Sequence, residues 1–176
     1  GVIVYEQAGR IHRLDPATRK HERLRLGVAT DLVETRPRFA REPAKQVRSM
    51  DLSPNGHRAV LDVRGEIVTV PAKSKKGDAR YVTRSPGVHE RSPAWSPDGR
   101  SLAYFSDASG EYALVVRPAD EGASPTTHAL KGAGYYERLS WAPDSKRLAF
   151  TDNSRTLYVY DLTQKRQLRV GSEPVY

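Results

Sequence analysis

Short apolar runs alternate with tight turn sequences along the whole chain, and no segment sustains the 3.6-residue period of an amphipathic helix. Three turns share one chemistry: Pro54-Asn55-Gly56, Pro97-Asp98-Gly99 and Pro143-Asp144-Ser145. Proline pre-sets φ for a turn, and glycine or asparagine accepts the positive φ that closes it. An apolar run ending in Leu52, Trp95 or Trp141 precedes each turn, and Ala59-Val60-Leu61, Leu102-Ala103-Tyr104 or Leu148-Ala149-Phe150 follows it. Two runs joined in this way predict a hairpin. A third strand is predicted at Glu66–Val70, Tyr112–Val116 and Thr156–Tyr160. The fourth, at Arg80–Thr83, Thr126–Leu130 and Arg166–Val170, is more polar and suits an exposed sheet edge.

The four-strand unit repeats. Pro54 and Pro97 lie 43 residues apart, and Pro97 and Pro143 lie 46 apart. A period of about 40–50 residues with four short strands per unit is the sequence sign of a propeller blade. The first 26 residues match the back of a blade. Val2–Glu6, Arg10–Leu14 and His21–Leu26 take the places of strands two to four, and Asp15-Pro16-Ala17-Thr18 matches the turn Asp161-Leu162-Thr163-Gln164. The expected architecture is all-β: β-propeller blades of four antiparallel strands, about four blades, 15 strands in all. A closed four-bladed ring would need Glu173–Tyr176 to supply the missing strand. Those residues are few for that, so an incomplete piece of a larger or tandem propeller is expected, with both ends cut inside a longer protein. Successive blades are joined by short connections, Arg84–Glu90 and Lys131–Tyr136. Gly27–Gln46 is far longer, and connections beyond about 12–15 residues are usually functional loops or linkers. The expected division is 1–26 as the last part of one propeller, 27–46 as a basic connection or inter-propeller linker, and 47–176 as three blades of the following one.

Composition narrows the chemistry. With no cysteine, disulfide scaffolds, thiolate metal sites and cysteine nucleophiles are excluded. No apolar run approaches the roughly 18 residues of a membrane-spanning helix. Zero cysteines does not choose between compartments; the cytoplasm is expected, with the periplasm open. The net charge of +8 is local: residues 1–88 carry 18 basic and 10 acidic side chains, and residues 89–176 carry 11 of each. Arg36, Arg38, Arg41, Lys45 and Arg48 form the densest stretch. A basic cluster reads as a nucleic-acid footprint or as a solvated segment. No basic helix, zinc-ligand set or RNA-binding aromatic strand accompanies it, so no nucleic-acid partner is expected.

Catalytic and metal signatures are sparse. No Gly-x-Ser-x-Gly elbow occurs, and His12, His21, His57, His89 and His128 are scattered without metal-ligand spacing. His89-Glu90-Arg91-Ser92 holds suitable residue types, but neighbours on a strand point to opposite faces. Asn55, Asp98 and Asp144 could bind metal or substrate, yet their place predicts turn formation. Asp107, Ser109 and Glu111 suggest calcium, although Ala108-Ser109-Gly110 fits a plain hairpin better. Trp95 and Trp141 are expected to pack between blades. No catalytic residue, metal site or cofactor is assigned to this segment. A basic, tyrosine-bearing rim is expected where the fourth-to-first connections meet the channel mouth. It comprises Arg84, Arg91, Tyr135, Tyr136 and Arg138, with His89 close in sequence and the Arg36–Arg48 cluster approaching the same side. Such a rim would attract peptides through their C-terminal carboxylates, or it is a solvated rim with its charges paired to Glu90 and Glu137.

Longer strings carry a resemblance. Val4-Tyr5-Glu6-Gln7 followed by Gly9-Arg10-Ile11-His12-Arg13-Leu14-Asp15, then Arg36-Pro37-Arg38-Phe39, Arg64-Gly65-Glu66-Ile67 with Val70-Pro71, and Thr83-Arg84-Ser85-Pro86-Gly87-Val88 before Trp95-Ser96-Pro97-Asp98-Gly99 are similar to tricorn-type sequence. Ser106-Asp107-Ala108-Ser109-Gly110-Glu111-Tyr112 continues it, and the blade signature resembles the TolB and tricorn protease propeller group. The resemblance implies tandem six- and seven-bladed propellers ahead of a PDZ-like and a serine peptidase domain. It implies degradation of short peptides by a hexamer, with propellers that admit substrate or release product. The partners it implies are short peptides, the protein's own protease domain and other subunits of a homo-oligomer. Two alternatives stay open: a TolB-like interaction scaffold without catalysis, and the propeller of a prolyl-oligopeptidase-like peptidase.

Overall fold

The computed structural model describes residues 1–7, 9–27, 42–72, 77–120, 122, 124–132 and 134–173. Within them lie 15 strands in four separate antiparallel sheets, each with its strands in sequence order. The chain divides into two compact units, Gly1–Arg41 and Glu42–Tyr176.

The first unit holds one three-stranded sheet: β1 (Ile3–Gln7), β2 (Arg10–Asp15) and β3 (Lys20–Arg23). Asp15 builds its last turn by accepting the Ala17 amide at 2.9 Å, and these backbone bonds hold its carboxyl below the ordinary range. Asp161 does the same for Thr163 and Gln164, both at 2.8 Å. The two turns matched in sequence are thus matched in mechanism.

The second unit carries three four-stranded sheets. They are β4 (Val47–Leu52), β5 (Arg58–Val63), β6 (Glu66–Pro71) and β7 (Arg80–Tyr81); then β8 (Glu90–Trp95), β9 (Ser101–Ser106), β10 (Ala113–Pro118) and β11 (Thr126–Ala129); then β12 (Tyr136–Trp141), β13 (Arg147–Asp152), β14 (Thr156–Asp161) and β15 (Arg166–Ser172). β7 is shorter than the predicted Arg80–Thr83. Val82 and Thr83 both donate to the Ile67 carbonyl, so the ladder breaks there. The Thr83 hydroxyl turns inward instead, 2.6 Å from Glu66 Oε2.

Each first hairpin closes with the predicted turn. Ser96 Oγ donates to Asp98 Oδ1 at 2.6 Å and accepts the Ser101 amide at 2.9 Å, while Asp98 also takes the Arg100 amide at 3.0 Å. Ser53 and Asn55 repeat the device: Ser53 Oγ accepts the Arg58 amide at 2.9 Å, and Asn55 takes the His57 amide at 2.9 Å. The third blade has Ala142 where the serine would be. Replacing the buried Ser96 with alanine is therefore expected to cost about 1–3 kcal/mol, because the Ser101 amide loses its side-chain acceptor. Urea unfolding of Ser96→Ala against wild type checks this; equal midpoints would contradict it.

β9 explains why the core is continuous. Its residues alternate between two neighbours: Leu102 and Tyr104 pack with Val60, Ile67 and Val115, whereas Ala103 and Phe105 pack with Leu114, Leu148 and Phe150. A strand buried on both faces reads as an unbroken apolar run. The turn Arg64-Gly65 fastens the first two of these blades. Both residues have positive φ, 57° and 84°, as a two-residue hairpin loop demands. The Gly65 carbonyl accepts the Glu90 amide at 2.8 Å, and a Cβ there would lie 2.8 Å from the His89 ring.

Candidate functional site

The first strands of the three blades, β4, β8 and β12, carry the same irregularity. The register shifts between Val47 and Ser49, between Arg91 and Ala94, and between Glu137 and Ser140. One extra residue in a strand bends it and re-aims its side chains. Ser92 and Arg138 take positive φ of 52° and 57° at these bulges. The bent strands border a common cavity of about 550 Å³, within the roughly 300–1,000 Å³ usual for ligand pockets.

Its electrostatics are balanced. Arg48, Arg91 and Arg138 line it, and so do Asp51, Asp62 and Glu137. Asp51 is engaged, accepting the Leu52 amide at 2.8 Å and the Trp95 amide of the next blade at 2.7 Å. Trp141 reaches the other way, its indole N–H donating to the Ala94 carbonyl at 3.1 Å. Both tryptophans thus join blades.

Among the described residues, other polar atoms around this cavity lack partners. Arg91 sets its guanidinium carbon 3.9 Å from the Tyr135 ring centroid, yet its buried Nε and Nη1 hold no hydrogen bond. The same is true of Ser49 Oγ, Asp62 Oδ1 and Trp95 Nε1. Asp62 is only 2% exposed.

The residues expected at a basic rim therefore separate. Arg91, Tyr135 and Arg138 are at or beside this cavity. Arg84 instead lies over the Tyr81 ring at 4.8 Å. Tyr136 is 1% exposed and packs in the core with Phe105 and Phe150. Lys45 pairs with Glu42 at 2.7 Å. Arg36, Arg38 and Arg41 lie outside the described residues. The sequence reading missed Asp62 and Ser49. The available signal was positional: Asp62 occupies the slot held by Phe105 and Thr151 in the next two blades, where a carboxylate in an apolar strand is out of place.

The remaining candidates have local structural partners. His89 Nδ1 bonds the Tyr112 hydroxyl, and its amide donates to Asp107 Oδ1 at 2.7 Å. Glu90 is buried at 3% exposure, and among the described residues no hydrogen bond joins it to His89 or Ser92. Asp107 is occupied by that amide, and Ser109 Oγ donates to the Glu111 carbonyl at 3.0 Å. His128 bonds the Tyr160 hydroxyl at 3.1 Å, and burial lowers its pKa. In the first unit, His12 and His21 lie 3.0 Å apart between ring nitrogens. Among the described residues no group of three or more His, Asp or Glu could hold a metal ion, and no helix is long and apolar enough to cross a membrane.

Known proteins place these blades. The chain is 26% identical over 166 residues to a tricorn protease homologue of Streptomyces coelicolor, covering 92% of this chain and 14% of that protein. The crystal structure of TolB from Acinetobacter baumannii superposes with a TM-score of 0.60 at 15% identity, over 99% of this chain and 41% of that one. A TolB structure from Agrobacterium tumefaciens gives 0.58 at 17% identity, over 91% and 52%. The chain thus spans a small part of the curated relative and about half of the solved structures. No family model matches it. Repeat, blade architecture and similarity agree: the chain is a stretch of β-propeller blades, similar in sequence to a tricorn protease homologue and in fold to TolB propellers.

Proposed function

We propose that this chain is a non-catalytic propeller segment of a tricorn-like serine protease that degrades short peptides, and that it conducts or filters substrates or products. The observation that carries the reading is the cavity between the bent first strands β4, β8 and β12. It is polar and open where an apolar plug would have closed it. Similarity to the tricorn homologue over nearly the whole chain supports the parentage. On this reading Gly1–Leu26 ends one propeller and Val47 begins the next. The partners are short peptides, the protein's own protease domain and further copies in a homo-oligomer.

The test is peptide turnover by the full-length protein. Ser140 is exposed on β12 and lines the cavity. Ser140→Trp is expected to lower kcat/KM for short peptides severalfold, while labelling of the catalytic serine by a small irreversible inhibitor stays unchanged. A full-length protein that hydrolyses no peptide would remove the protease reading and leave an interaction scaffold. Unaltered turnover by Ser140→Trp would remove the conduit.

A further inference from the structure

We propose that one end of the first sheet, β1–β3, is a binding site for a phosphate group or a short phosphate chain, held by Arg10, Arg23 and Arg25. The site lies within the first compact unit and does not rest on the peptide-handling reading above.

Strand alternation sorts the charges of this unit, because successive side chains point to opposite faces of a sheet. The register sets Tyr5 and Arg23 on either side of His12, and Gln7 beside Arg10. These five share one face, together with His21, two positions from Arg23 on β3. The rings confirm it: Tyr5, His12 and His21 lie 4.9, 5.5 and 6.0 Å apart between centroids. The opposite face takes Glu6, Arg13 and Glu22, and there Arg13 pairs with Glu22 at 3.2 Å. Glu6 Oε1 accepts the Gly9 amide at 2.8 Å, and Asp15 closes its own turn. Among the described residues of the unit, the Tyr5 face thus carries arginine and histidine and no carboxylate.

The arginines meet at one end of that face. Leu24 donates to the Ile11 carbonyl at 2.9 Å, so the chain stays beside β2 past Arg23 and brings Arg25 alongside Arg10. All three arginines are exposed, and they border a cavity of about 380 Å³, a size usual for small-ligand sites. Like charges on neighbouring strand positions repel, so an anion seated among them is attracted by three cations at once. A carboxylate brings a single negative charge, whereas a phosphate group brings about −1.5 to −2. The planar guanidinium also matches phosphate oxygens two at a time. An inorganic phosphate chain would use the arginines alone. A nucleotide would add stacking of its base on the neighbouring rings.

The experiment is an NMR titration of the whole chain with inorganic diphosphate at a constant ionic strength of about 0.15 M, where distant exposed charges are screened. Saturable shifts are expected at Arg10, Arg23 and Arg25, with a Kd of about 1 mM or tighter, as two or more charged hydrogen bonds imply. Arg10→Gln and Arg23→Gln should each weaken binding about tenfold. Arg13→Gln removes the same charge from the opposite face and should change it less than about twofold. ADP separates the sources: affinity within about threefold of diphosphate assigns a free phosphate chain, and a gain of about tenfold assigns a nucleotide; either supports the site. Three results would overturn it: no saturable binding, equal weakening by Arg13→Gln and the other two variants, or acetate binding as tightly as diphosphate.

Discussion

Truncating Phe105 to alanine is expected to destabilise the protein by about 3–5 kcal/mol, the range for emptying a buried phenylalanine site. Phe105 is fully buried, and its ring lies 5.5 Å from those of both Tyr136 and Phe150, the latter edge-on. Tyr136 and Phe150 meet edge-on at 5.5 Å as well, closing a triangle of rings across two blades. Aromatic pairs of this geometry contribute beyond their buried area. The cavity left by Phe105→Ala would be walled by β12 and β13 of the neighbouring blade, whose strands cannot collapse inward without breaking their own ladder. Urea unfolding of the variant measures the loss. Met50→Ala is the control, because Met50 is 69% exposed and should cost under about 0.5 kcal/mol. A Phe105→Ala midpoint close to the control would show that the two blades are not held by this triangle.

Stability is expected to fall as pH rises from about 4.5 to 7, through Glu90. This side chain is 3% exposed, and its Oε2 has no partner among the described residues. Burial raises its pKa from 4.5 to about 7, and the neighbouring Glu66 charge adds to the effect, with a smaller contribution from Asp107. Hydrogen bonding involving Ser85 and Thr83 acts in the opposite direction. Below pH 4.5 the group is largely neutral folded and unfolded, and its contribution to stability is fully present. Between 4.5 and 7 the unfolded chain ionises while the folded one holds its proton. Each pH unit then costs about 1.4 kcal/mol, about 3 kcal/mol in total by the upper end of the window. Glu90→Gln removes the ionisation while keeping the side chain's shape. The stability difference between wild type and Glu90→Gln should therefore move against the wild type by that amount as pH rises. Parallel profiles for the two proteins would show that Glu90 ionises freely. The consequence reaches the blade junction, because the Glu90 amide is bonded to the Gly65 carbonyl of the preceding blade.

The blades were legible because their determinants are local. Pro-Asp-Gly and its variants form turns through their own backbone angles and side chains, as Asp98 and Asn55 do on amides two residues away. Strand two of each blade was legible because it is apolar along a length too short for a helix. Strand ends were less so. β7 stops at Tyr81 because Thr83 is drawn to Glu66, a side chain 17 positions earlier in the sequence. Likewise β3 ends at Arg23 rather than Leu26, although Leu24 still donates to the Ile11 carbonyl.

The candidate site was legible only in part. Arg91, Tyr135 and Arg138 were found by reading the connections between blades, since residues at equivalent places in successive repeats recur at equivalent places in space. Tyr135 and Tyr136 show the limit of that reading. Adjacent in sequence, they face opposite ways, one 38% exposed near Arg91 and the other 1% exposed among aromatics. Arg84 belongs to the same kind of connection but lies over Tyr81.

By itself, then, the sequence determined the repeat, the strand order within each blade and the turn chemistry, because these depend on residues a few positions apart. Only the tertiary structure decided that the first strands bulge toward one cavity and that Asp51, Asp62 and Glu137 balance its three arginines. It also decided that the unpartnered atoms of Ser49, Asp62, Arg91 and Trp95 gather there. The physical reason is that charge balance and hydrogen-bond satisfaction are sums over neighbours in space, and those neighbours come from different blades.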